Sequence, residues 1–275
     1  MSDSKIIHKL QDMRYLEWSR IRKSSGTAGS YLKAYEERDG KKIYYKLSCY
    51  DSIHGITGHE SVNEIIVDRL LSILGVEHLE YQLIHALVHI DGKEYDTYIC
   101  ASNDFKKKGD SKIALDDYYD LCKEPGEDIL NFCKRHGWMK YIYEMLVVDY
   151  LILNRDRHGA NIEIIKSKGS RNIHPAPLFD HGISLIYSCK TDSEAKAFKP
   201  LDDKPVQCYV GSRSAFDNLS LIPKSKLPRF KKLAKEDKKA IFEGLEGIMS
   251  KAFIDKIWEV IGKRWQVYEN LQSSR

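Results

Sequence analysis

The sequence lacks closely spaced cysteines. Six cysteines occur among 275 residues, and no two stand at the short spacing that zinc ribbons and redox pairs use. An even number of cysteines in a chain this long does not indicate a disulfide framework. We therefore expect a reducing environment. The cysteines are Cys49, Cys100, Cys122, Cys133, Cys189 and Cys208.

A strong charge of one sign is also absent. The 44 basic residues and 40 acidic residues leave a net charge of only +4. Proteins that bind nucleic acid or anionic lipid through electrostatics alone usually carry a larger excess of basic residues. We expect no direct nucleic-acid binding, and any bound anion should occupy a local site.

Long apolar runs are missing as well. The longest, residues 145–153, is interrupted by Asp149 and is far too short to span a bilayer. Residues 1–11 are polar and do not resemble a signal peptide. We expect a cytoplasmic protein without a membrane partner.

The chain does contain the material for a folded core. Hydrophobic residues make up 42% of the sequence, aromatic residues 11% and charged residues 31%, a typical globular composition. The length of 275 residues allows one large domain or two modest lobes.

The first part of the chain is rich in predicted strands. Asp-Gly pairs at residues 39–40 and 91–92 are hairpin turn signals between runs of β-forming residues. Residues 57–74 carry apolar side chains at helical spacing, and Gly75 is the predicted end of that helix.

The second part is rich in predicted helices. Residues 138–153 predict one helix, and residues 241–268 predict a long amphipathic helix or a helix pair. The composition changes near residues 102–112. Because strands precede helices, we expect an α+β fold with two unequal lobes and a cleft between them.

The most informative segments are NRDRHGAN, which ends in Asn161, and LFDHG, which contains Asp180. Residues 162–165 and 176–179 are expected to form a hairpin that brings Asn161 beside Asp180. Hard oxygen ligands of this kind suit Mg²⁺, which also binds substrate phosphates. Asp156 would stand beside the metal and accept the proton of a hydroxyl that attacks a phosphoryl group.

The order of these features is that of protein kinases, in which Asp, four residues, Asn and a later Asp-x-Gly follow one another. Upstream, Lys46 lies in a predicted strand and Glu64 in the predicted helix, where a phosphate-binding lysine and its carboxylate partner would lie. The stretch SSGTAGS contains Gly26 and Gly29, which would let backbone N–H groups approach phosphate oxygens.

In these features the sequence resembles the HipA-like serine/threonine kinases of bacteria. SSGTAGSYLK, Lys46, NEIIVDRLLSILGV, NRDRHGAN and LFDHG carry the resemblance. It implies a bilobal protein-kinase-like fold, with a small strand-rich N-lobe in residues 1–104 and a larger helical C-lobe in residues 105–275. The two lobes would form one kinase domain. The chain would be a short member that lacks the amino-terminal region of longer ones.

The resemblance also implies cofactors and residue roles. ATP and Mg²⁺ would be the cofactors, Asp156 the catalytic base, and Asn161 and Asp180 the metal ligands. The nucleotide contacts would be Gly26, Thr27, Ala28, Gly29, Ser30, Lys46, Glu64, Asn103, Phe105 and His158. The candidate autophosphorylation sites are Ser24, Ser25, Thr27 and Ser30.

The resemblance further implies a protein substrate. Several members of the family are toxins that a small DNA-binding partner holds in check. A toxin-type regulator with an antitoxin-like partner is therefore one expectation for this chain.

Alternatives stay open at the level of single residues. Two Ser/Thr-x-x-Glu patterns, which end in Glu60 and Glu64, match helix capping boxes. His158 and His181 could belong to a zinc site with neighbouring aspartates. The basic cluster in residues 224–239 is typical of a solvated face more than of a nucleic-acid site.

Alternatives also stay open for the function. Lys106 stands where familiar members of the family carry an acidic residue after the connector phenylalanine. This departure favours a pseudokinase that binds nucleotide and regulates a partner. A kinase-fold enzyme that phosphorylates a small molecule, or that transfers AMP, is a third hypothesis, because fold does not determine function.

Overall fold

A computed structural model describes residues 5–19, 31–169 and 172–273. The strands in these ranges are β1 (Ile6–Asp12), β2 (Lys33–Arg38), β3 (Lys41–Lys46), β4 (Tyr50–Asp51), β5 (Gly55–Ile56), β6 (Gln82–Ile90), β7 (Lys93–Asn103), β8 (Ser111–Ala114), β9 (Asp156–Arg157), β10 (Glu163–Lys166), β11 (Ile173–Pro175) and β12 (Gln207–Cys208). The α-helices are α1 (Glu60–Leu74), α2 (Leu115–Cys122), α3 (Ile129–Arg135), α4 (Met139–Ile152), α5 (Asp192–Ala197), α6 (Ala215–Leu219), α7 (Asp237–Phe242) and α8 (Lys251–Ser273).

A five-stranded sheet forms the first part of the molecule, in the order β1-β6-β7-β3-β2. β1 runs parallel to β6, and the other pairs are antiparallel. Both predicted hairpins are confirmed. Their turns have positive φ at Asp39 and Gly40 and at Asp91 and Gly92, as two-residue hairpin loops require.

Helix α1 packs on one face of this sheet. Its residues Ile65, Ile66 and Leu70 join Leu83 of β6 and Cys100 of β7 in the larger hydrophobic core. The opposite face of the sheet has a smaller hydrophobic core of its own, to which Ala34, Tyr45 and Ile99 contribute. The helix ends at Gly75, which has a left-handed φ of 74°, so the predicted stop is confirmed.

The second part of the molecule is helical. Helix α4 packs against α8 and α6. It confirms the helix predicted over residues 138–153, with a difference of one residue at each end. The predicted long helix is a pair, because α7 ends at Phe242 and α8 begins at Lys251. Gly244, with a φ of 75°, lies in the break, where glycine permits the left-handed turn.

The hairpin that follows the NRDRHGAN segment differs from the prediction. β10 pairs with β11 and also with β8, so the second arm lies at Ile173–Pro175 and not at residues 176–179. Leu178 instead exchanges backbone hydrogen bonds with Glu77 and Leu79, the residues between α1 and β6. This tertiary pairing takes the backbone groups that a longer hairpin would need.

The architecture is therefore a mixed α+β fold with a strand-rich N-terminal part and a helical C-terminal part, and the predicted fold class is confirmed. The division at residues 104 and 105 stays a prediction. In the described ranges, no helix combines the length and apolar character that a bilayer-spanning helix needs. All six cysteines carry free thiols.

Arg264 fixes helix α8 to the rest of the helical part. Its buried guanidinium donates to the carbonyl oxygens of Pro200, Tyr150 and Asp202 at 2.8, 3.0 and 3.0 Å. Buried backbone acceptors that lose their donor are costly.

We expect Arg264→Met to lower the free energy of unfolding by about 3 kcal/mol, because three carbonyl oxygens lose their donor. Lys263→Met is the matched control, because Lys263 forms a surface ion pair with Glu259 and its substitution should cost less than about 1 kcal/mol. Urea unfolding measures both values. Equal losses would contradict the role of Arg264.

Candidate active site

Two adjoining cavities form a cleft beside the β2–β3 hairpin, and they share Lys33, Lys46 and Asp180. One encloses about 350 Å³ of empty space and is also lined by Glu64 and Asp156. The other is an open cavity with about 660 Å³ of empty space. Its lining includes the predicted nucleotide residues Asn103 and Phe105.

Lys46, the last residue of β3, lies between two carboxylates. Its Nζ is 2.9 Å from Glu64 Oε1 and 2.6 Å from Asp180 Oδ1. Burial acts to lower the pKa of Lys46, but Asp180 and Glu64 outweigh it and raise this pKa well above its ordinary value. The two carboxylates therefore favour the charged form of Lys46, and the structure brings these three predicted residues together.

Helix α1 supplies Glu64 and ties it to the Asp-x-Gly segment. Glu64 Oε2 accepts the backbone N–H of His181 at 2.9 Å. The adjacent Asn63 donates from Nδ2 to the carbonyl oxygens of Gly182 and Ser184 at 2.9 and 3.1 Å. The helix and the Asp-x-Gly segment are thus joined by two neighbouring side chains.

The capping alternative for Glu64 is wrong. The helix begins at Glu60 with His59 as its N-cap, and no side chain caps it. Glu60 accepts instead from the Cys49 backbone N–H and the Tyr31 hydroxyl. Burial raises the pKa of Glu64, and Lys46 opposes this shift.

A buried ion pair shapes the loop that carries Asp156. Arg157 is 1% exposed, and its Nε and Nη2 donate to the two carboxylate oxygens of Asp149 at 2.9 Å each. Its Nη1 donates to the carbonyl oxygens of Asn161 and Phe179, both at 2.9 Å. One guanidinium therefore links helix α4, the loop and the residue before Asp180.

Asp156 and Asn161 are held within the same loop. The Asp156 backbone N–H donates to Asn154 Oδ1 at 3.1 Å, and Asn161 Nδ2 donates to the Asp156 carbonyl oxygen at 2.8 Å. This bond orients the Asn161 amide and leaves Oδ1 as its other polar atom. His158 Nε2 lies 3.8 Å from Asp156 Oδ2, beyond hydrogen-bond distance.

The donor set fits Mg²⁺ better than zinc. Asn161 Oδ1 and the Asp180 carboxylate are hard oxygen ligands, and Mg²⁺ typically takes one or two protein carboxylates together with substrate phosphates. Among the residues that the structure describes, no group of three or more His, Cys, Asp or Glu side chains could hold a metal. The zinc alternative with His158 and His181 is therefore not supported. Burial lowers the pKa of His181 well below its ordinary value.

Asp180 has an unusual backbone conformation. Its φ is +59°, in the left-handed region that non-glycine residues seldom occupy. Its backbone N–H donates to the Tyr81 hydroxyl oxygen at 3.2 Å, and the preceding carbonyl group accepts from Arg157. Such conformations persist only where the surroundings hold them, and they are frequent at functional sites.

The segment after Asp180 returns to the loop as strand β12. Gln207 is paired with Asp156 and Cys208 with Arg157 in a parallel register. Arg155 Nε also donates to the Pro205 carbonyl oxygen. Residues 205–209 therefore pair with the backbone of the loop that carries Asp156.

Some predicted residues lie outside the described ranges. They are Ser24, Ser25, Gly26, Thr27, Ala28, Gly29 and Ser30.

Phe105 lies near Phe179, with 5.7 Å between the ring centroids. Asp104, which precedes it, lines the same cavity, so an acidic group is present there although residue 106 is lysine.

The sequence assigned no role in this site to Lys33, Asn63, Asp149 or Arg157, and it offered Glu60 as a capping-box residue. Only Asp149 carried a signal, because a charged residue interrupts the longest apolar run of the chain. A charge inside such a run must be paired when it is buried. The others are ordinary polar residues whose partners lie far away in sequence.

No protein-family model and no curated protein matches this sequence. Among solved structures, the Helicobacter pylori proinflammatory kinase CtkA is similar over 96% of both chains, with a TM-score of 0.68 and 15% identity. HipA from the HipA–HipB–operator DNA complex of Shewanella oneidensis MR-1 has a TM-score of 0.49 and 13% identity, over 90% of this chain and 67% of that chain. The Golgi casein kinase has a TM-score of 0.45 and 13% identity, over 92% of this chain and 71% of that chain. The likeness to CtkA shows that the chain has a protein-kinase-like fold.

We expect Asp149→Asn to lower the free energy of unfolding by about 3 kcal/mol, because the Arg157 guanidinium would stay buried without its charge partner. Asp120→Asn is the matched control, since Asp120 pairs with Lys123 at an exposed surface and should cost less than about 1 kcal/mol. Urea unfolding of both variants measures the difference. A loss for Asp149→Asn as small as that of the control would contradict the structural role of this pair.

Proposed function

We propose that this chain is an ATP- and Mg²⁺-dependent kinase that phosphorylates serine or threonine hydroxyl groups of a protein. The observation that carries the proposal is the Lys46 ammonium group, which lies between Glu64 and Asp180 in a cleft that Asp156 also lines. The kinase-like fold shared with CtkA supports it.

The residues of the cleft have complementary tasks in this proposal. Lys46 binds phosphate oxygens of the nucleotide, and Glu64 holds the ammonium group in place. Asp156 orients the acceptor hydroxyl and accepts its proton during attack on the γ-phosphorus. Its carboxylate is partly exposed in the cavity, as a group that must reach a second substrate has to be.

Asn161 and Asp180 would hold the metal. When bound, Mg²⁺ neutralises negative charge on the phosphate oxygens. The network of Arg157 keeps the backbones of Asn161 and Phe179 in place before any ligand arrives. Such preorganisation is the main contribution a protein can make to phosphoryl transfer.

The larger cavity would take the nucleoside. Phe105 and Phe179 provide apolar ring surfaces, and Asn103 and Asp104 provide polar groups. The acidic side chain of Asp104 in this cavity favours a kinase over the pseudokinase that Lys106 suggests.

Other parts of the proposal rest on the resemblance to HipA-like kinases alone. They are autophosphorylation in the stretch SSGTAGS, a toxin-type role and an antitoxin-like partner. The proposed cytoplasmic location rests instead on the cysteine spacing and the short apolar runs of the sequence. Intact-mass measurement of the purified chain separates the chemistries: added phosphate favours a protein kinase, and added AMP favours nucleotidyl transfer.

We expect ATP with Mg²⁺, at about a hundred times its dissociation constant, to stabilise the chain by about 2.7 kcal/mol, because ligand binds only the native state. For a chain of this size the unfolding midpoint should rise by about 5 °C or more. A thermal-shift titration measures this, and a titration without Mg²⁺ is the control. An unchanged midpoint would contradict nucleotide binding.

We expect Asp156→Ala and Asp180→Ala each to reduce γ-phosphate transfer at least about a thousandfold, because the hydroxyl or the metal loses its ligand. Asp96→Ala is the matched control, since Asp96 is 61% exposed on β7 and lines neither cavity. Transfer from γ-labelled ATP measures activity, and the unfolding midpoint verifies folding. Wild-type transfer by either variant would refute the assigned roles.

A further inference from the structure

Lys33 is the first residue of β2, and it lies directly opposite Lys46 in the β2–β3 register. Residues opposite each other in an antiparallel pair project from the same face. Their neighbours Ala34 and Tyr45 are buried in the core on the other face. Both lysines therefore project toward the cleft.

The two lysines meet at one carboxylate. Lys33 Nζ lies 3.7 Å from Asp180 Oδ2, and Lys46 Nζ lies 2.6 Å from Asp180 Oδ1. Each ammonium group thus faces a different oxygen of Asp180. Glu64 holds Lys46 as well, whereas the Lys33 side chain is 43% exposed and accessible from solvent.

Like charges directly opposite each other on a strand pair are destabilising. Asp180 offsets this repulsion here. The position is also central, because Lys33 and Lys46 line both the cavity with Asp156 and the cavity with Phe105. An anion that extends from one cavity to the other would pass both ammonium groups.

We propose that Lys33 is a second phosphate-binding lysine, which acts with Lys46 and binds the terminal phosphates of the nucleotide. This proposal rests on the nucleotide-binding function proposed above. Bonds between ammonium groups and phosphate oxygens are charge-assisted and stronger than neutral ones. Lys33 should therefore contribute to the affinity for ATP and much less to the affinity for AMP.

The test compares dissociation constants for ATP and AMP in the presence of Mg²⁺, measured by isothermal titration calorimetry. The variants are Lys33→Gln, which removes the charge, and Lys33→Arg, which keeps it. Lys41→Gln is the matched control, because Lys41 is an exposed lysine at the other end of β3 and lines neither cavity. Thermal unfolding of each variant verifies that it is folded.

We expect Lys33→Gln to weaken ATP binding about tenfold, which corresponds to about 1.4 kcal/mol, and AMP binding less than about twofold. Lys33→Arg should stay within about threefold of the wild type for ATP, and Lys41→Gln should not change either constant.

Three results would overturn the assignment. Wild-type ATP affinity in Lys33→Gln would remove Lys33 from the phosphate site. Equal losses for ATP and AMP would assign it a purely structural role. Failure of the wild-type chain to bind ATP would refute the proposed function, and this inference with it. The two failures are distinguishable, because the first is seen in the wild-type chain and the second only in Lys33→Gln.

Discussion

The Lys46 ammonium group is the charge on which the candidate site depends. It is shared by Glu64, which lies 18 residues later, and by Asp180, which lies 134 residues later. A partly buried cation must be paired, because removing one partner leaves an uncompensated charge in a medium of low dielectric. The sheet, helix α1 and the Asp-x-Gly segment are therefore brought together by a single electrostatic requirement, to which Asn63 adds two hydrogen bonds.

A second buried cation solves the same problem in the helical part. Arg157 is neutralised by Asp149, and its remaining donor binds the carbonyl oxygens of Asn161 and Phe179. Because Phe179 precedes Asp180, the Arg157 network and the Lys46 network meet at consecutive residues. The positions of Asp156, Asn161 and Asp180 thus follow from two charge networks and not from the loop sequence alone. The near-neutral net charge of the chain fits this picture, since its cations act locally.

Local patterns predicted much of the architecture. Helical periodicity located α1 and α4, and Asp-Gly pairs located two hairpins, because turn conformation and amphipathic spacing depend on neighbouring residues. The errors are tertiary. Residues 176–179 were expected to form a hairpin arm, but Leu178 pairs with the segment between α1 and β6. Glu64 matched a capping box as well as a kinase carboxylate, and the helix start at Glu60 together with the position of Lys46 distinguishes the two.

The sequence by itself determined the fold class and the order of the chemical groups, Lys46, Glu64, Asp156, Asn161 and Asp180, because motif spacing and periodicity are properties of the linear chain. Only the tertiary structure decided which groups support them. Lys33 is 147 positions from Asp180, and Asn63 contacts carbonyl groups 119 and 121 positions away. No local pattern encodes such contacts. They arise when packing of the sheet against α1 and of α4 against its neighbours brings distant charges within reach, and burial then requires those charges to pair.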